Sequence, residues 1–73
     1  MRAKLTEKGF MHDGNVIQGS YTFANIKEMG DSQMHTVYSA IMKSPLTIPC
    51  LVTIYDDKIC ISATDGNNII IGY

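Results

Sequence analysis

"DSQMHTVYSAIMKS", Asp31 to Ser44, is the stretch on which the fold turns. Met34, Val37, Tyr38, Ile41 and Met42 recur at i, i+3, i+4, i+7 and i+8, the spacing of one helical face. Gln33, His35, Thr36, Ser39 and Lys43 fill the other face. Asp31 and Ser32 are residues that cap a helix start, and Gly30 breaks the chain just before them. Ser44-Pro45 ends the pattern, because a residue before proline avoids helical backbone. The spacing therefore predicts one amphipathic helix over about 32–43, with an apolar face wide enough to cover a sheet.

Downstream, Leu46 to Pro49 reads as an extended connector. Cys50 to Tyr55 and Lys58 to Ala63 are rich in β-branched residues and flank the turn Asp56-Asp57, so they read as paired strands. Pairing them about that turn sets Ile54 against Ile59, Val52 against Ile61 and Cys50 against Ala63. One face is then wholly apolar, and a one-residue slip would destroy it. The helix is expected on that face. Cys50 and Cys60 fall on opposite faces, which argues against a disulfide between them.

A third strand runs from Asn68 to Tyr73. A two-residue turn at Asp65-Gly66 would send Ile70 to the apolar face. A three-residue loop, Thr64-Asp65-Gly66 with Gly66 left-handed, sends Ile69 and Ile71 there instead and turns Ile70 outward beside Cys60. Burying two isoleucines outweighs a turn preference, at about 1.5–3 kcal/mol for each side chain. The three-residue loop is therefore expected.

Upstream, His12-Asp13-Gly14-Asn15 predicts a first hairpin between Phe10-Met11 and Val16-Ile17. Its second strand is expected to continue through Gln18-Gly19-Ser20-Tyr21-Thr22-Phe23, and Ala24 to Met29 to make a short helical turn. The likeness of "HDGNVIQGSY" to "TDGNNIIIGY" is read as a shared hairpin signal rather than a duplication. The sum is an α+β fold, β-β-α-β-β-β, with an antiparallel sheet and one helix on one face, in a single domain of residues 1–73.

Composition narrows the function classes. The hydrophobic fraction is 45% and the charged fraction 18%, too apolar for a disordered chain and low in charge for an isolated soluble one. The net charge of −1 shows neither the basic excess of a phosphate-binding surface nor the acidic excess of a DNA mimic. No apolar run approaches the ~20 residues of a membrane helix, and Met1 to Lys8 lacks the apolar core of a secretory signal. Two cysteines with no evident partner fit a reducing compartment, so a cytoplasmic location and no membrane are expected.

Site chemistry is sparse. His12, His35, Cys50 and Cys60 supply the residue types of a zinc site but no C-x₂₋₄-C or H-x₃₋₅-H pair, so no metal is expected. Asp56-Asp57 reads as a solvated turn, and Asp65-Gly66-Asn67 does not match a calcium loop. No phosphate-cradling glycine loop and no nucleophile–base arrangement is present, so no cofactor and no catalytic residues are expected, and the protein reads as a non-enzyme. His35 reads as a solvated residue on the helix's polar face.

The outer sheet face remains. Thr53, Cys60 and Ile70 lie in one row across three strands, flanked by Leu51 and Tyr55. An apolar patch with a polar rim and an aromatic member has the make-up of a protein interface. Leu51, Thr53, Tyr55, Cys60 and Ile70 are the candidate interface residues. The opposing expectation is that the N-terminal segment folds over this face. The reading is a small regulatory protein-binding protein that uses this face or an edge strand, with a protein partner or a second copy as in a homodimer. Its size and missing catalytic motifs suit an accessory or inhibitor protein of the kind phages and mobile elements carry. A single-stranded nucleic-acid module stands second, since Tyr55 and Tyr73 are available to stack bases while the chain lacks a basic excess. A small subunit of a larger enzyme complex stands third.

Overall fold

His35 to Ser44 is a strand, not a helix. In a computed structural model that describes residues 2–18 and 20–72, its burial alternates: Thr36, Tyr38, Ala40 and Met42 are buried, while Val37, Ser39 and Ile41 between them are half-buried. That is the period of two of a pleated strand. Adjacent apolar residues, Val37 with Tyr38 and Ile41 with Met42, point to opposite faces. On a helix the same letters would form one stripe, which is why the spacing misleads.

The capping signal is also real but serves a different end. The Ser32 hydroxyl accepts from the Met34 and His35 backbone N–H groups at 3.2 and 3.3 Å, as a helix cap does. The chain then reverses, with the Ser32 N–H donating to the His35 carbonyl at 2.9 Å. A lone helix of about three turns is marginal in water and depends on tertiary partners. Here a flanking strand on each side supplies a ladder instead.

The elements are β1 (Lys4–Thr6), β2 (Gly9–His12), β3 (Asn15–Gln18), β4 (Thr22–Asp31), β5 (His35–Ser44), β6 (Ile48–Tyr55), β7 (Lys58–Ala63) and β8 (Asn68–Gly72). They form two antiparallel sheets, β1-β2-β3 and β4-β5-β6-β7-β8, with no helix among the described residues. The α+β expectation, β-β-α-β-β-β, is thus corrected to all-β. The short helical turn expected over Ala24–Met29 is likewise strand, the middle of β4. The first hairpin ends at Gln18, and the chain enters the second sheet at Thr22 rather than continuing the first. Met1, Gly19 and Tyr73 lie outside the described residues, and with them the passage expected through Gly19 and the strand end expected at Tyr73.

The C-terminal strands pair as expected. Ile54 faces Ile59, Val52 faces Ile61 and Cys50 faces Ala63. Ile59 faces Ile71, Cys60 faces Ile70 and Ile61 faces Ile69. The two Asp-Gly signals make different turns. Asp13 and Gly14 both have positive φ, 51° and 79°, and join His12 to Asn15 as a two-residue turn. At the other, only Gly66 is left-handed, at φ 95°. The Gly66 N–H donates to the Ala63 carbonyl at 3.1 Å and the Ala63 N–H to the Asn67 carbonyl at 2.9 Å, closing the three-residue loop.

The three-stranded sheet takes the place expected of the helix. Ala3, Leu5 and Phe10 join Val52, Ile54, Ile59 and Ile61 in one buried cluster. Phe10 meets Phe23 edge-on, with ring centroids 5.6 Å apart. Arg2 ties this layer down. It donates to Asp56 at 3.1 Å, to Asp31 at 3.3 Å, and to the Ser32 and Gln33 carbonyls at 2.8 and 2.5 Å. One guanidinium thereby links the N-terminal segment to the β4–β5 and β6–β7 turns. The N-terminal segment therefore packs on the inner face of the five-stranded sheet.

Candidate functional site

Each strand of the meander sends alternate side chains to the outer face, and the registers set these in rows. Val37, Thr53, Cys60 and Ile70 form the central row across β5, β6, β7 and β8. On one side Ser39, Leu51, Ser62 and Asn68 make the next row. On the other, His35 stands opposite Tyr55. The five candidate interface residues thus share one face. Leu51 is 51% exposed and Ile70 70%, while Thr53, Tyr55 and Cys60 are half-buried among their neighbours.

Sequence reasoning missed the fourth strand of this face. Reading β5 as a helix removed His35, Val37 and Ile41 from the outer face. The corrected strand places His35 against Tyr55, with ring centroids 5.6 Å apart and planes tilted by 43°. The Lys58 ammonium sits 5.0 Å from the Tyr55 ring centroid. His35 is therefore an outer-face residue rather than a helix-surface one. The signal for it was present in the alternation of Tyr38, Ala40 and Met42, masked because alanine scores weakly on either pattern.

A shallow groove of about 650 Å³ lies at one end of this face. Asn25, Ser39, Ile41, Pro49, Leu51 and Thr64 line it. Asn25 has positive φ, 52°, where β4 shifts register between Ala24 and Lys27. Asparagine tolerates that conformation at a bulge.

The thiols differ as their faces do. Cys50 is buried, and burial raises its pKa above the ordinary thiol value while a backbone hydrogen bond at Met42 pulls the other way. A buried thiol of this kind packs as a small hydrophobe. Cys60 is half-buried on the outer face. Among the described residues no group of three His, Cys, Asp or Glu side chains is placed to hold a metal ion. Among the described residues no helix is long and apolar enough to cross a membrane. Tyr73, the second aromatic of the base-stacking reading, lies outside the described residues.

Comparison with protein-family models, with curated proteins and with solved structures returns no match to this chain.

Proposed function

We propose that the protein is a binding module that engages a protein surface through the outer face of its five-stranded sheet. One observation carries this reading. Leu51 and Ile70, both more than half exposed, lie on one continuous face with Val37, Thr53, Tyr55 and Cys60. Large apolar side chains grouped on one face, rimmed by Ser39, Ser62, Lys58 and Asn68, have the anatomy of an interface core and its rim. Tyr55 serves as the aromatic anchor, held by His35 and Lys58. The nucleic-acid reading lacks the basic excess that a phosphate backbone calls for, the net charge being −1.

The test is capture of partners from the source cell by wild-type protein and by Leu51→Glu, Tyr55→Glu and Val16→Glu, each first shown to melt as wild type does. Val16 is exposed on the other sheet. A partner kept by Val16→Glu and lost by both outer-face variants supports the reading. A partner kept by all three overturns it.

A further inference from the structure

The two edges of the five-stranded sheet are built differently. The β4 edge shifts register at three places and carries Lys27, Glu28 and Asp31. Bulges and charges are among the ways sheets prevent edge-to-edge pairing. The β8 edge has none of these. Asn68–Gly72 holds no charge and no proline, and it pairs with β7 without a shift in register. No strand of the described residues pairs on its far side.

Ladder geometry shows what that edge offers. Ala63 and Asn67 are a hydrogen-bonded pair. In an antiparallel ladder bonded and non-bonded pairs alternate, so Ile61 with Ile69 and Ile59 with Ile71 are bonded too. The backbone N–H and C=O groups of Asn68, Ile70 and Gly72 therefore point away from β7. These groups are self-complementary about Ile70. In a two-fold antiparallel pairing, Ile70 exchanges both bonds with Ile70 of the second copy, and Asn68 exchanges both with its Gly72. The same register sets Ile69 against Ile71 on the inner side and one Ile70 beside the other on the outer side. No like charges meet.

We infer that β8 pairs antiparallel with β8 of a second copy about a two-fold axis at Ile70, joining two five-stranded sheets into one. This rests on the outer-face reading for its surroundings, since it merges the two faces into one apolar surface, but on backbone geometry for its register.

The test is solution mass over a concentration series, with amide hydrogen exchange on the same samples. The expected result is a mass rising from 8.1 kDa towards twice that value. In dilute protein the Ile69 and Ile71 amides are slow and the Asn68, Ile70 and Gly72 amides fast; at high concentration all five are slow. Ile70→Pro removes an outward N–H and no β7 bond, and is expected to stay at 8.1 kDa with an unchanged circular dichroism spectrum. Leu51→Glu and Tyr55→Glu are expected to dimerise as wild type does. A mass fixed at 8.1 kDa, or a dimer in which the Ile70 amide still exchanges fast, overturns the pairing. A dimer abolished by Leu51→Glu but kept by Ile70→Pro overturns it too, and leaves the outer face standing as the binding surface.

Discussion

Tyr38 shows most sharply what a single residue loses when its element is misread. As one member of a helical stripe it would be an ordinary packing residue. In β5 it is buried inward, opposite Glu28 on β4. Burial raises its phenol pKa above the ordinary 10.0; a backbone hydrogen bond at Leu5 opposes this, Glu28 and Asp31 add to it, and Arg2 opposes it. The consequence for stability has a definite sign. Below about pH 9 the phenol is neutral folded or unfolded and contributes no pH dependence. As pH rises through the unfolded value near 10, the unfolded chain releases its proton first, so the folded state loses stability with rising pH. Tyr38→Phe removes that contribution. Its urea midpoint is expected to fall less steeply between pH 9.5 and 11 than the wild-type midpoint does. Equal slopes would place Tyr38 in solvent.

At the scale of elements, the sequence was legible where turn chemistry and pairing arithmetic agreed. The β6–β7–β8 meander follows from Asp56-Asp57, the loop at Thr64-Asp65-Gly66 and the need to bury one face. The parity of Ile69, Ile70 and Ile71 follows from the three-residue loop, which buries two isoleucines where a two-residue turn would bury one, with Gly66 as its left-handed residue. Gly66 has φ 95° and open space where a Cβ would stand, so the cost of a side chain there is conformational. Gly66→Ala is expected to lose about 1–2 kcal/mol in chemical denaturation, and Gly66→Asn distinctly less. An alanine variant as stable as wild type would mean that the loop is not the one described. β4 and β5 were illegible for three physical reasons. Both faces of β5 carry apolar residues, so its period of two is blurred. A serine that caps a turn looks like a serine that caps a helix. The irregular β4, with Asn25 left-handed and its register shifted at three places, has no clean alternation to read. The candidate site suffered in proportion: three of its strands were found from sequence, and the fourth, with His35 and Val37, was not.

For the whole molecule, the outcome is a division of labour between two faces of one sheet. The inner face is covered by the N-terminal three-stranded sheet and clamped by Arg2. The outer face is left to solvent or to a partner, and the β8 edge continues it. A domain this small buries only about 60–65% of its unfolded surface, so an uncovered apolar face is a large share of what it withholds from its own core. Methyl relaxation by a soluble paramagnetic probe tests this arrangement most directly. In dilute protein the Leu51 and Ile70 methyls are expected to relax strongly, while those of Val52, Ile54, Ile59 and Ile61 are spared. An Ile70 methyl as well shielded as that of Ile59 would contradict the account.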